Sequence, residues 1–175
     1  QSGLPAGINF YTDLIDDTSY EGSLIRYKSF AGGVPLVGKA WGNPNFRFLD
    51  KYISDKATEE HTLRFGSKKY LSPSFKIRMM ERLLSARVSS DKSYRYSDLN
   101  FILLQQVIER VSGEPLDEFV TKHIYRPIQA RLYFNPLERG VKIQQIAPAQ
   151  HDTFLRGEIL RGTVDDEAAA CLGGV

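Results

Sequence analysis

A tyrosine and an acid two residues apart, Tyr96 and Asp98, are the residues of this 175-residue sequence whose types and spacing best fit a catalytic role. They lie where a polar loop meets the start of an apolar pattern, so both side chains can point into one cleft. A tyrosine transfers protons near neutral pH only when a neighbouring cation lowers its pKa from about 10. By itself the pair is more typical of a buried tyrosine followed by a helix cap, so its chemistry depends on the rest of the chain.

Two short motifs have the spacing of known functional signatures, and we interpret both as loops. Residues 33–40 fit G-x-x-x-x-G-K, but Ala40 cannot supply the hydroxyl that binds magnesium, and Pro44 and its neighbours break any following helix. Ser89 and Lys92 have the spacing S-x-x-K, in which a serine that opens a helix is activated by a lysine one turn later. They lie in a polar run between two predicted helices, so we expect no nucleophile there.

Candidate metal ligands are scattered along the chain. His61, His123 and His151 lie far apart, and Cys171 has no cysteine partner, whereas a zinc site needs ligands grouped at helical or turn spacing. The acidic run 165–167 is able to bind a hard cation but is more typical of a solvated loop. The sequence therefore predicts no metal site, and no cofactor is implied.

Three helices are predicted in the middle of the chain, and they would position the Tyr96–Asp98 pair. Ser72-Pro73 is an N-cap followed by proline at the first helical position, and Ser97-Asp98 opens a second helix that ends at Gly113. A third helix runs from about 115 to 125 and is ended by Pro127.

Each predicted helix has an apolar face with the spacing of a buried stripe. The first face comprises Phe75, Met79, Met80, Leu83, Leu84 and Val88. The second comprises Leu99, Ile102, Leu103, Val107, Ile108 and Val111. The third comprises Leu116, Phe119, Val120 and Ile124.

The remaining segments show weaker patterns. Residues 1 to about 70 are punctuated by turn signals and predict irregular structure, and residues 153–160 fit an extended pair around a glycine. We therefore predict a mainly α chain with long irregular loops, folded as one domain.

Composition excludes several classes of protein. The chain is 42% hydrophobic and 25% charged, which is typical of a globular domain rather than a disordered chain. The net charge is +2 and basic residues are scattered, which excludes a nucleic-acid footprint. No apolar stretch is long enough to be a transmembrane segment. The single cysteine, Cys171, forms no internal disulfide.

The two ends predict a chain cut from a longer one. Residues 1–5 show no initiator methionine and no leader pattern, and the apolar run 168–175 stops without a charge. We therefore expect residues 1–175 to be a single domain that is an internal fragment of a longer catalytic domain. Such a fragment should expose an apolar face where the remaining lobe would pack.

Longer stretches of the sequence resemble the serine β-lactamase and penicillin-binding-protein-like family. Tyr96-Ser97-Asp98 leads into the second predicted helix, and residues 108–120 read I-E-R-V-S-G-E-P-L-D-E-F-V, as in the family's V-S-G-x-P-L-x-x-F pattern. Residues 2–5 are similar to the tail of the family segment L-L-x-H-x-S-G-L. Residues 146–175 are similar to the run that leads to G-G-V-x-G-H-A-G.

The resemblance implies a helical lobe packed against an α/β lobe, with acyl transfer by a serine in the cleft between them. Tyr96 would be the proton shuttle. Asp98 would stand where many members carry an asparagine that binds the substrate amide. Ser97 would lie against the substrate, although it is expected to act more as a helix cap than as a reactant. The substrate would be a cell-wall peptide, a β-lactam or an ester, at the periplasm or surface of a bacterium.

The resemblance also implies that parts of the site are missing from this chain. The family's nucleophilic S-x-x-K would lie before Gln1, and its K-T-G or H-x-G would lie after Val175. The remaining lobe is therefore the expected partner, and the chain alone is expected to be inactive. Two alternatives stay open: a non-catalytic helical or pseudo-enzyme module, and a domain fused to another cell-wall hydrolase.

Overall fold

A computed structural model describes residues 2–36, 38–91 and 93–174 of the chain. Gln1, Val37, Lys92 and Val175, and with them part of the G-x-x-x-x-G-K and S-x-x-K motifs, lie outside the described residues.

The first part of the chain is built from very short antiparallel strands. They are β1 (Ile15–Asp16), β2 (Ile25–Arg26), β3 (Val34–Pro35), β4 (Trp41–Gly42), β5 (Arg47–Phe48), β6 (Ile53–Ser54), β7 (Leu63–Arg64) and β8 (Tyr70–Leu71). They form three small sheets with the orders β1-β5, β2-β4-β3 and β6-β8-β7, and a 3₁₀ helix, Phe10–Leu14, precedes β1. Turn residues reverse the chain within the second and third sheets, whereas β1 pairs with β5 across the segment that forms the β2-β4-β3 sheet, with Ile15 opposite Phe48.

Four α-helices follow, with a strand pair before the last. The helices are α1 (Ser74–Leu84), α2 (Asp98–Ser112), α3 (Leu116–Val120) and α4 (Glu167–Cys171). A π-helical turn, Thr121–Tyr125, continues α3, and a 3₁₀ helix spans Ile143–Gln145. Strands β9 (His151–Asp152) and β10 (Glu158–Ile159) pair antiparallel. The predicted extended pair over residues 153–160 is therefore wrong in its first arm: residues 153–157 form the turn, and the first strand lies before them.

The prediction of a mainly α chain is wrong. The structure is 29% helical and 12% strand, with several small sheets, although it remains consistent with a β-lactamase-like fold. Strands of two residues are too short to show a period-two pattern, so the sequence of residues 15–71 resembles irregular loop. The three predicted helices are present, and Gly113 ends α2 with φ 74°, a left-handed conformation that glycine adopts without strain.

The core lies between α1, the start of α2, the N-terminal segment and α4. Its buried apolar members are Leu4, Phe10, Leu14, Ile53, Phe65, Leu71, Phe75, Met79, Leu83, Leu99, Ile102, Ala170, Cys171 and Leu172. Burial raises the pKa of the Cys171 thiol, which keeps it protonated as an apolar core residue. The core therefore fixes the first turn of α2 against α4.

The predicted buried stripe of α2 is only half correct. Leu99 and Ile102 are buried, but Val107 and Val111 are 55% and 83% exposed. Residues of the other two predicted faces, namely Leu84, Val88 and Ile124, are exposed as well. An outer apolar face of α2, formed by Phe101, Leu104, Val107 and Val111, therefore meets solvent. Among the described residues, none of the helices has both the length and the apolar character of a membrane span.

Candidate active site

The first turn of α2 is anchored by the N-terminal segment. Ser97 is the N-cap residue, with extended φ −150° and ψ 115°, but its side chain makes no capping hydrogen bond. Its buried hydroxyl instead donates to the Pro5 carbonyl oxygen at 2.6 Å, and the Asp98 amide donates to the Ala6 carbonyl oxygen at 3.0 Å. The expected capping contact is therefore replaced by a bond that ties residues 5–6 to the helix.

Tyr96 and Asp98 lie side by side at the surface. Because Ser97 is extended, the side chains on either side of it project to the same side of the backbone. The negative charge of Asp98 and its hydrogen bond with the phenol raise the pKa of Tyr96. Tyr96 is 62% exposed, and the centroid of its ring lies 6.4 Å from that of Phe101. The phenol is thus accessible to a reacting group.

The electrostatics of the pair favour a protonated phenol. In the part of the chain that the structure describes, the charged and polar groups that shift the pKa of Tyr96 are Asp98, Tyr94 and Asp166, and all of them raise it. A raised pKa keeps the hydroxyl proton in place near neutral pH. The cation that a tyrosine base requires must therefore come from outside this set of groups.

Two cavities adjoin Asp98. One, of about 130 Å³, lies between the N-terminal segment and the first turns of α2 and α4, with Gly7, Tyr11 and Glu167 in its lining. The other, of about 240 Å³, is walled mainly by apolar side chains, including Phe101 and Leu116. Asp98, Ile102, Asp166 and Ala168 line both cavities. The start of α4 thus forms a wall opposite the start of α2.

This wall is the part of the site that sequence reasoning missed. Asp166 and Glu167 belong to the acidic run that we interpreted as a solvated loop. In the structure Asp166 caps α4, accepting a hydrogen bond from the Ala169 amide at 2.6 Å. Burial raises the pKa of the half-buried Glu167 carboxyl. Only the fold brings these residues to Asp98, because about 70 residues separate them and no local pattern links them.

The other candidate ligands are not brought together. His61 is buried, with hydrogen bonds between its Nδ1 and the Thr58 hydroxyl (3.0 Å) and between its Nε2 and the Asp50 carbonyl oxygen (2.9 Å). Within the described ranges, no group of three or more His, Cys, Asp or Glu residues is arranged to hold a metal ion. A larger open groove of about 1270 Å³ includes His61 but neither Tyr96 nor Asp98.

The Ser89 motif lies outside any helix. The Ser89 amide donates to the Gly3 carbonyl oxygen at 2.8 Å, and its hydroxyl oxygen accepts from the Asp91 amide at 3.1 Å. Its motif partner, Lys92, is not among the described residues. A serine in such a turn lacks the helical register of an S-x-x-K nucleophile.

Comparison with known proteins places these residues in a family. A sequence profile described as "Beta-lactamase" matches residues 43–172. The "Putative D-alanyl-D-alanine carboxypeptidase" of Escherichia coli (strain K12) is 40% identical over 92 residues, which are 46% of this chain and 21% of that protein. The "N-acetylmuramyl-L-alanine amidase" of Bacillus subtilis (strain 168) is 31% identical over 85 residues, which are 42% of this chain and 19% of that protein.

The aligned part spans about a fifth of the length of these relatives. No solved structure matches the chain. The profile match nevertheless extends over well more than half of the chain and includes both Tyr96 and Asp98. The chain therefore belongs to the beta-lactamase family of serine hydrolases.

Proposed function

We propose that this chain forms one side of an acyl-transfer site, in which Tyr96 moves protons and Asp98 contacts the substrate. The observation that carries the proposal is the exposed Tyr96–Asp98 pair at the head of α2, which lies inside the family match and in which Asp98 raises the pKa of the phenol and lines two cavities. Ser97 supports the pair through its bond to Pro5.

The reaction needs a serine that attacks a carbonyl carbon. In this mechanism the deprotonated Tyr96 oxygen takes the serine proton as the serine oxygen bonds to the carbonyl carbon. Tyr96 then gives that proton to the leaving group as the bond between the carbonyl carbon and the leaving group breaks. Asp98 raises the pKa of Tyr96, which opposes the first transfer. We therefore assign both the nucleophile and the compensating cation to an S-x-x-K segment outside this chain, whose lysine would lower the pKa of the phenol.

Asp98 sets what the site can bind. An ionised carboxylate accepts hydrogen bonds but cannot donate them, unlike the asparagine that many family members carry. A substrate group that meets Asp98 therefore presents an N–H or O–H. The names of the E. coli and B. subtilis relatives support a cell-wall peptide over a β-lactam or a simple ester, and they support a periplasmic or cell-surface location.

The exposure of the outer apolar face of α2 supports the proposal that a further part of the protein packs against it. Its four side chains are all more than half exposed, although apolar groups of this size are favoured inside a core. We propose that the remaining lobe of the catalytic domain covers this face and completes the site. The chain alone is then inactive, because it lacks the serine and the oxyanion-binding N–H groups.

Covalent labelling by a fluorescent penicillin tests this function. We expect no label on the isolated chain and a label on the serine when the chain is part of a polypeptide that carries the S-x-x-K segment. Label on the isolated chain would overturn the proposed division of the site. A folded longer polypeptide that takes no label and also does not cleave a peptide ending in D-alanyl-D-alanine would favour the non-catalytic module.

A further inference from the structure

The buried side chain of Arg156 lines neither cavity beside Asp98, but it makes three hydrogen bonds. Its Nε donates to Asp152 Oδ2 at 2.6 Å, and its two terminal nitrogens donate to the carbonyl oxygens of Val164 (2.7 Å) and Asp165 (2.6 Å). The side chain is 0% exposed, and its guanidinium lies 5.4 Å from the centroid of the Phe65 ring. One planar group thus joins the β9–β10 hairpin to the segment before α4.

The carbonyl groups that Arg156 binds immediately precede the residues of α4 that line the candidate site. Val164 and Asp165 directly precede Asp166, which caps α4, and Asp166 and Ala168 line both cavities beside Asp98. The position of the Val164 and Asp165 carbonyl groups therefore sets where α4 starts. The hairpin that supplies Arg156 is itself held, because Asp152 also accepts from the amides of Phe154 (3.0 Å) and Leu155 (2.8 Å).

We propose that Arg156 is a positioning residue of the acyl-transfer site: its guanidinium fixes the start of α4 and thereby holds Asp166 and Ala168 beside Asp98. This inference rests on the proposed function, but all the contacts of Arg156 that support it lie within this chain. Lysine cannot replace Arg156, because an ammonium group lacks the planar fork that reaches one carboxylate and two carbonyl oxygens together.

The Tyr96 hydroxyl provides a readout that a merely structural role would not move. The charge of Asp166 contributes to the raised pKa of Tyr96, so displacement of α4 lowers the midpoint of the phenol titration. The midpoint is measured by NMR of the chain labelled with ¹³C at tyrosine Cζ. The Tyr96 signal is identified among the nine tyrosines by its absence in the Tyr96→Phe variant.

A double-mutant comparison tests the route of the effect. We expect Arg156→Lys to lower the Tyr96 midpoint in the wild-type background and to leave it unchanged in an Asp166→Asn background. An equal shift in both backgrounds, or loss of stability without any shift in the wild-type background, would refute the positioning role. Asp152→Asn is the matched control: it weakens the same ion pair but keeps the two carbonyl contacts, so the Tyr96 midpoint should stay.

A second variant covers the case in which Arg156→Lys does not fold. One glycine inserted between Asp165 and Asp166, both exposed, leaves the Arg156 contacts in place and uncouples them from α4. We expect the Tyr96 midpoint to fall in this variant too, and an unchanged midpoint would contradict the proposal. Because none of these titrations needs the nucleophilic serine, failure of the positioning role and failure of penicillin labelling are separate results.

Discussion

Two carboxylates of this chain, Asp98 and Asp152, differ in their burial and in the group that each one contacts. Asp98 lies at the surface beside a phenol, and its charge raises the pKa of Tyr96. Asp152 is buried beside a guanidinium; burial by itself would raise the pKa of its carboxyl, but the bonds from Arg156, Leu155 and Phe154 together lower it. The exposed pair is accessible to solvent, whereas the buried pair is closed to it.

The largest effect is expected at the buried pair. Arg156→Met leaves the Asp152 carboxylate buried without its partner, which typically costs about 3–5 kcal/mol of unfolding free energy. Urea unfolding followed by circular dichroism measures this loss. The matched control is Arg139→Met, which breaks the partly exposed ion pair with Asp117 and should cost at most about 1 kcal/mol. Equal losses of unfolding free energy in the two variants would show that the buried ion pair contributes no more to stability than the partly exposed one.

The buried pair also predicts how stability depends on pH. A carboxyl whose pKa is lowered in the folded state stabilises the fold above its unfolded pKa, about 3.9, and this stabilisation is lost as the pH falls through the folded value. The free-energy difference between wild type and Asp152→Asn should therefore be larger at pH 7 than at about pH 2. Unfolding curves at both pH values measure this free-energy difference. A difference that is the same at both values would contradict a lowered pKa of Asp152 in the folded state.

At the exposed pair the expected effect is on titration rather than on stability. Asp98→Asn removes the negative charge that raises the pKa of Tyr96, so the midpoint of the phenol should fall. The measurement is the ¹³C NMR titration of Tyr96, with Asp91→Asn as a control that changes an acid in the preceding loop. A midpoint that is the same in wild type and Asp98→Asn would mean that the two side chains do not interact in solution.

The smallest effect is expected from Tyr96→Phe. The ring is mostly exposed, so loss of the hydroxyl should change the unfolding free energy by at most about 0.5 kcal/mol. Thermal and urea unfolding of the variant measure this change. A loss of several kcal/mol would instead assign Tyr96 to the fold and weaken its interpretation as a reacting group.

The sequence predicted the parts of this structure that local chemistry determines. Helix α2 follows from its apolar spacing and from Gly113 at its end, and the Tyr96–Asp98 pair follows from residue type at a loop–helix junction. The exposure of Val107 and Val111 did not follow, because an apolar stripe does not specify what covers it. The three contacts of Arg156 could not be predicted from the sequence either, because two of them are to backbone carbonyl groups, which every residue has.

We propose that Tyr96 moves the proton during acylation, and the rate of acylation tests this role most directly. The rate is that of fluorescent-penicillin labelling of the polypeptide that joins this chain to its S-x-x-K segment, with Tyr96→Phe compared with Tyr94→Phe. Tyr94 is the matched control because it is 81% exposed and only two residues away. We expect Tyr96→Phe to lower the acylation rate by at least about 10²-fold and Tyr94→Phe to leave it nearly unchanged. Near-normal acylation of Tyr96→Phe would contradict the assigned role.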